Sequence, residues 1–197
     1  MSDPPSEVFY MYRNVKDREW EDFAVLLDIY KKGNLSIGQV IGERYLKLME
    51  FQLDPDVDFR ELERVFVGHG KRKIKRFLRH LSYTQLTENA KKRLGKAIEK
   101  ILLMEEEKWV DFFNKAGPVS HRGHSLELLP SIGKKKVMTI IEEREDAPFE
   151  SYNDIRERVG IDPISALRDK ILEEIKGMSQ HVILLIWAKK YSSSLSP

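Results

Sequence analysis

The segment Leu126-Glu-Leu-Leu-Pro-Ser-Ile-Gly-Lys-Lys-Lys-Val137 decides how the second half of the chain is predicted to fold. Its apolar residues end at Pro130, a tight turn runs to Gly133, and a helix begins among the lysines that follow. The first N–H groups of a helix have no partner inside it, and the helix dipole favours an anion there. The segment therefore predicts a turn that presents backbone N–H groups and positive charge together.

This segment resembles the helix-hairpin-helix motif, whose usual core reads Leu-Pro-Gly-Ile-Gly followed by basic residues. The resemblance implies that the turn grips a nucleic-acid backbone without reading its sequence. In that arrangement Gly133 lets a phosphate approach closely, Ile132 packs the turn into the core, and Lys134 and Lys135 add charge. A packing hairpin in a protein-docking domain is the structural alternative.

Two positions depart from the motif. Ser131 stands where the motif usually has its first glycine, and Val137 stands where a small residue commonly packs the two helices. Serine restricts the backbone more than glycine does, although its hydroxyl can itself donate to a phosphate. We therefore assign the first hairpin to residues 126–144 with Ser131 as a phosphate contact.

A degenerate second hairpin is predicted over residues 151–176. Its turn, Val159-Gly-Ile-Asp162, leads into a helix whose first residue is Pro163 and whose N-cap is Asp162. A carboxylate at the tip would repel phosphate, so this hairpin is predicted to have a structural role only.

A long helix is predicted between these hairpins and the first part of the chain. Thr87 is its expected N-cap, apolar residues recur at helical spacing through Phe113, and Gly117-Pro118 ends it. An apolar stripe of this kind is typical of a helix packed against a core.

The first 84 residues contain short apolar runs separated by turn residues, which predict a small antiparallel barrel or sandwich. The extended runs are residues 23–30, 37–53 and 65–67. Residues 74–83 fit a strand or a helix. Residues 182–187 are apolar at every position, which predicts a strand covered on both faces that returns to this sheet.

The predicted fold class is therefore α+β. A small antiparallel OB-like barrel, completed by the C-terminal strand, comprises residues 1–84 with 180–191. A helical domain with the helix-hairpin-helix region comprises residues 85–179.

Charge is distributed unevenly along the chain. The 34 basic and 32 acidic residues give a net charge of +2, but residues 71–100 contain eleven basic and two acidic residues. Such a concentration of positive charge favours binding of a polyanion, because each phosphate that is neutralised releases a counterion. The alternative is that these residues form an ordinary solvent-exposed surface.

The predicted nucleic-acid-binding residues are Lys71, Arg72, Lys73, Lys75, Arg76, Arg79, Lys91, Lys92, Arg93, Ser131, Ile132, Gly133, Lys134 and Lys135. The candidate stacking residues are Tyr45, Phe66 and Tyr83.

No catalytic, cofactor or metal site is predicted. The chain has no cysteine, which excludes thiol catalysis and cysteine-bound metals, and it has no phosphate-binding glycine loop or nucleophile elbow. His121 and His124, with Glu127, are arranged as possible metal ligands of a hydrolase or nuclease, but capping or surface histidines are the preferred interpretation. The sequence shows neither a membrane span nor a secretory signal, so we expect a cytoplasmic protein.

Four stretches together resemble a family of uncharacterised archaeal proteins that joins an OB-like barrel to a helix-hairpin-helix region. They are Ser82-Tyr-Thr-Gln-Leu-Thr87, Trp109-Val-Asp-Phe-Phe-Asn114, residues 126–136 and Pro148-Phe-Glu-Ser-Tyr152. The resemblance implies binding of RNA or another nucleic acid and slightly favours RNA over DNA; it supplies no reaction. The alternative function is a protein-interaction adaptor in a ribosome- or repair-associated complex, with the apolar C-terminal region as its docking surface.

Overall fold

The computed structural model describes residues 20–69, 74–120 and 123–194. One five-stranded antiparallel sheet, curled into a half-barrel, has the strand order β4-β1-β2-β3-β5. Its strands are β1 (Phe23–Lys32), β2 (Leu35–Gly42), β3 (Leu48–Leu53), β4 (Arg64–Phe66) and β5 (Ile74–His80). A separate small hairpin is formed by β6 (Pro118–Ser120) and β7 (Gly123–His124). The mixed α+β class is confirmed, and most of the run at 74–83 is a strand.

Both faces of the sheet are buried over most of β1, β2 and β3. On one face, Val25, Leu27 and Ile41 pack against the helices, whereas Leu26 and Phe51 point into the interior of the curl. Side chains alternate between faces along a strand, so neighbours in the sequence serve the two cores in turn. Irregular register in β1 and between β3 and β5 accompanies the curl.

A buried carboxylate fixes the turn between β2 and β3. Glu21 accepts hydrogen bonds from the backbone N–H groups of Arg44 and Tyr45, both at 2.8 Å. A Cβ atom at Gly42 would lie 2.0 Å from the Glu21 carboxyl carbon, so only glycine fits there. On the other side of the turn, the buried Lys108 ammonium donates to the Arg44 carbonyl at 2.8 Å. Burial raises the pKa of Glu21 to about 7 and lowers the pKa of Lys108 to about 8.

Six helices occupy the described part of the chain. They are α1 (Glu88–Met104), α2 (Glu106–Lys115), α3 (Lys134–Asp146), α4 (Tyr152–Val159), α5 (Pro163–Ile175) and α6 (Leu184–Ser194). Thr87 caps α1 as predicted, accepting from the Ala90 N–H at 3.1 Å. The long helix is divided at Glu105, whose backbone leaves the helical region. Asp162 and Pro163 begin α5 as predicted.

The predicted C-terminal strand at residues 182–187 is wrong, because most of that run lies in helix α6. The helix begins where the fully buried carboxylate of Glu174 accepts the N–H groups of Ile183, Leu184 and Leu185 at 2.9–3.1 Å. A side chain of α5 thus caps α6. No C-terminal strand completes the five-stranded sheet, and β4 and β5 do not pair with each other within the described residues.

Helix α6 nevertheless contacts the sheet at its last turn. Ser192 Oγ donates to the Arg44 carbonyl at 3.1 Å, and the Arg44 guanidinium donates to the Ser192 carbonyl at 2.7 Å. Trp187 packs edge-on against Phe112 of α2, with ring centroids 5.6 Å apart. The C-terminal residues therefore form a helix, and this helix connects the other helices to the β2–β3 turn.

Candidate nucleic-acid interface

The first hairpin turn, residues 130–133, has a left-handed residue at its tip. Ser131 adopts φ of 66° and is exposed, whereas Ile132 is buried with 4% of its surface accessible. The Ile132 N–H donates to the Leu129 carbonyl at 3.2 Å. Serine thus occupies the backbone region that favours glycine, and Ile132 packs the turn into the core as predicted.

Helix α3 starts at Gly133 without a side-chain cap. The Gly133 backbone is extended, and a Cβ atom placed there would meet nothing within 4 Å. The N–H groups of Lys134 and Lys135 have no hydrogen-bond partner in the described structure, and both side chains are exposed. Lys136, by contrast, donates to the Val159 carbonyl of the neighbouring hairpin. The helix start therefore presents free donors and two solvent-facing ammonium groups.

The second hairpin turn, residues 160–162, is capped and acidic. Gly160 is left-handed with φ of 70°, and Asp162 accepts from the Ser165 hydroxyl at 2.7 Å and the Ser165 N–H at 3.5 Å. The Ser165 hydroxyl is the main cause that lowers the pKa of Asp162. A groove of about 300 Å³ between the two turns contains Asp162 and Asp169. These charges oppose phosphate on the α5 side of the groove.

A row of polar side chains crosses the sheet on the face away from the interior of the curl. Arg79 lies at one end of this row and is bonded to it. The register places Asp28, Gln39, Glu50 and Arg79 opposite one another on β1, β2, β3 and β5. Arg79 pairs with the buried Glu50 at 2.9 Å, and Tyr30 donates to the same carboxylate at 2.6 Å. Burial alone would raise the pKa of Glu50, but the bonds from Arg79, Tyr30 and Gln39 outweigh it and lower that pKa. The Arg79 guanidinium is therefore already paired with a buried carboxylate.

Other predicted cations are also paired. The Arg93 guanidinium bonds Asp28 at 3.0 Å and pairs with Glu61, which fastens α1 to β1. Lys75 lies 3.5 Å from Asp54. Lys91 lies 2.8 Å from Glu88. These contacts leave less unpaired charge on this surface than the sequence count indicates.

Arg76 and Lys92 are exposed and make no ion pair with any described residue. Lys71, Arg72 and Lys73 lie outside the described residues. The candidate stacking residue Tyr45 is buried, and Phe66 packs against Phe23 at 5.3 Å.

The structure places the hairpin lysines away from the start of α1, where Lys91 lies. Lys91 of α1 and Lys176 after α5 lie 5.7 and 5.5 Å from the centroid of the Tyr83 ring. Farther along α1, Glu99 pairs with Arg168, so α1 and α5 run antiparallel. The first hairpin turn lies against the beginning of α5, across the groove from Asp169. Its lysines are therefore at the opposite end of the α1–α5 pair from Lys91.

An aromatic group at the open edge of the sheet was not singled out from the sequence. Trp20, His69, Phe77 and His80 form a continuous line of ring contacts, here named the edge cluster. The four residues are distant in the sequence, and no local spacing links them. Alternation within β5 was the available signal, since Phe77 points to the interior face between exposed neighbours.

A family model described as a protein of unknown function, DUF655, matches residues 24–186. The chain belongs to the DUF655 family. An uncharacterized protein of Methanocaldococcus jannaschii, MJ0038, is 37% identical over 182 residues, which cover 88% of this chain and 84% of that protein. The crystal structure of Af1531 from Archaeoglobus fulgidus, assigned to DUF655, is 38% identical with a TM-score of 0.75 and covers 82% of this chain and 97% of that chain. The predicted membership of a family with archaeal relatives is confirmed.

Two further findings concern this DUF655 chain. His124 Nδ1 accepts the Leu126 N–H at 3.2 Å, so it caps a short 3-10 turn as the preferred interpretation expected; His121 is outside the described residues. The described residues contain no group of three or more His, Asp or Glu side chains placed to hold a metal ion. None of the helices in the described ranges is both long and apolar enough to cross a bilayer.

Proposed function

We propose that this protein is a non-catalytic nucleic-acid-binding protein whose first hairpin turn holds a phosphate of the backbone. The observation that carries the proposal is the start of α3, where the N–H groups of Lys134 and Lys135 have no hydrogen-bond partner among the described residues and lie beside two exposed lysine side chains. Backbone N–H groups, the helix dipole and ammonium charge all favour an anion at one place. A phosphate diester meets these donors without any base-specific contact.

The arrangement around this turn supports a helix-hairpin-helix assignment. Two turns, each with a left-handed residue followed two positions later by an N-cap, lie across one groove. Lys136 ties them together through its bond to the Val159 carbonyl. In this arrangement the first turn binds the ligand and the second supports it.

The sheet supports an OB-like assignment. Its order is that of a five-stranded Greek-key barrel opened between β4 and β5. Arg76 and Lys92 supply exposed charge that makes no ion pair with the described residues. We assign them to electrostatic capture, which adds affinity without fixing the register. The resemblance of the four sequence stretches named above is the reason to place RNA slightly ahead of DNA.

The test is a fluorescence anisotropy titration against single-stranded and duplex RNA and DNA of mixed sequence at several salt concentrations. We expect affinity that falls as salt rises, with a logarithmic slope of about 0.7–0.9 for each phosphate neutralised. Absence of binding at low salt, or affinity that is independent of salt, would contradict the proposal. In that case, a protein partner that co-purifies after nuclease treatment would favour the adaptor.

A double variant, K134E/K135E, tests the hairpin itself. We expect at least about tenfold weaker binding to every sequence, since two cations next to the phosphate become anions. Acidic residues in the first turn of a helix are favourable, so the folded state is not weakened. The matched control is K31E/K32E, which makes the same charge change at the two exposed residues that end β1. Equal losses in the two variants would mean that the hairpin makes no local contact.

A further inference from the structure

The edge cluster lies where the half-barrel is open. Trp20 precedes β1, and its Nε1 donates to the Val67 carbonyl just after β4 at 3.0 Å. Its ring meets Phe77 of β5 edge-on, with centroids 5.1 Å apart and an interplanar angle of 76°. The Trp20 side chain thus joins the β4 and β5 sides of the sheet, which do not pair with each other within the described residues.

The ring line extends to solvent at both ends. His69 lies 5.8 Å from Trp20, and His80 lies 5.1 Å from Phe77; both histidines are exposed, while Trp20 and Phe77 are half-buried. Inside the curl, Phe77 contacts Phe51 at 5.5 Å. The core therefore holds the inner rings, and these support the outer rings on which a ligand can stack.

Charge beside the cluster favours an anionic ligand. The strand that carries Phe77 and His80 also exposes Lys75, Arg76 and Arg79. Arg79 and Lys75 are paired with Glu50 and Asp54, but Arg76 makes no ion pair with the described residues. Partial burial of the ring, followed by the charge of Lys47, lowers the pKa of His80.

We propose that the edge cluster binds unpaired bases of a single-stranded nucleic acid, with His69 and His80 as stacking platforms and β5 cations along the backbone. A single strand combines accessible π-faces with regularly spaced anions, whereas a duplex keeps its bases stacked inside. This inference rests on the proposed function and deepens it, because it names the form of nucleic acid that the sheet recognises. It assigns single strands to the sheet and backbone phosphate to the hairpin.

Tryptophan fluorescence reports the contact directly. Of the three tryptophans, Trp109 is fully buried and Trp187 packs against Phe112, so Trp20 is the residue beside the proposed bases. Titration of the full chain with an unstructured single-stranded oligonucleotide should quench part of the emission, and W20F should remove most of that quenching. A duplex of the same length should quench much less.

Affinity measurements on H69A and F77L complete the test. We expect single-strand affinity to fall about 5- to 50-fold, as loss of base stacking produces, with duplex affinity changed less than about twofold. F77L keeps an apolar side chain in the core while removing the ring, and H181A is a matched control at another exposed histidine. An unchanged ratio of single-strand to duplex affinity in both variants would overturn this inference alone, provided that K134E/K135E still weakens both forms. Failure of the wild-type protein to bind any oligonucleotide would overturn the proposed function as well.

Discussion

Ser131 in the first hairpin turn and Gly160 in the second both place a left-handed residue two positions before a helix N-cap, with φ of 66° and 70°. The helix starts that follow differ in chemistry. Gly133 offers no side-chain cap, so the first N–H groups of α3 have no partner within the described part of the chain, whereas the Asp162 carboxylate caps the start of α5. The N–H groups at the helix start can therefore bind an external anion in the first hairpin. In the second hairpin they already bind the side-chain carboxylate of Asp162.

The largest expected effect comes from giving the first turn the cap of the second. In G133D the new carboxylate can accept the free N–H groups of α3 and repels phosphate. A Cβ atom at Gly133 meets nothing within 4 Å, so the fold accommodates the change. We expect nucleic-acid affinity to fall at least about tenfold while helix stability is kept or slightly raised. Anisotropy and thermal melting measure the two quantities, and unchanged affinity would show that the α3 start is not where phosphate binds.

The next effect concerns the left-handed residue of the second turn. In G160A the new methyl group must adopt a backbone conformation that costs about 1–2 kcal/mol for an L-residue. The nearest side-chain atom, Lys136 Nζ, is 3.4 Å away at the end of a flexible chain, so strain of the backbone dominates. We expect a melting temperature lower by about 2–8 °C.

The matched control for G160A is G95A in the middle of α1. There the added Cβ atom would make ordinary contacts, 3.7 Å from Leu172 and 3.9 Å from Arg168. Alanine is a better helix residue than glycine by about 1 kcal/mol, so this variant should be more stable than wild type. Similar changes in the two variants would show that Gly160 does not need its left-handed conformation.

Removal of the Asp162 cap should cost less. Loss of an N-cap side chain lowers stability by about 1 kcal/mol, so D162A should be that much less stable in urea unfolding at pH 7. D162N should retain most of the stability because an amide oxygen also caps. The pKa of Asp162 is lowered in the folded protein, so its contribution is present above the ordinary aspartate pKa and lost as the pH falls below it. The D162A difference should therefore shrink in acid; a constant difference would assign it to packing instead.

The comparison of the turns also shows which parts of the fold a sequence can predict. Turn residues, caps and strand alternation are local, and they predicted Thr87, Asp162 and the three extended runs that contain most of β1 to β4. The start of α6 depends on Glu174, which lies about ten residues upstream in another helix. Residues 182–187 are covered on several sides by that packing, so their continuous apolar run could not distinguish a strand from a buried helix.

In the candidate site, too, features set by local sequence could be predicted and features set by distant residues could not. Ile132 and Gly133 have the positions that the local motif predicts. The charge count over residues 71–100 was less informative, because the acids that pair with Arg79 and Arg93 come from strands distant in the sequence. Likewise, the ring contacts between Trp20 and Phe77 exist only once β4 and β5 face each other across the open edge.

The smallest effect separates backbone strain from hydroxyl contact at the tip of the first turn. S131G relieves the left-handed strain of serine but gives the unfolded chain more freedom, so the two contributions largely cancel and stability should change by less than about 1 kcal/mol. If the Ser131 hydroxyl donates to a bound phosphate, S131G should weaken binding by roughly threefold to tenfold. S131A keeps the strain and removes the hydroxyl, so it should weaken binding equally while leaving stability near that of wild type. Unchanged affinity in both variants would mean that phosphate is held by the α3 N–H groups and lysines without the serine, and the two turns would then differ only at their N-caps.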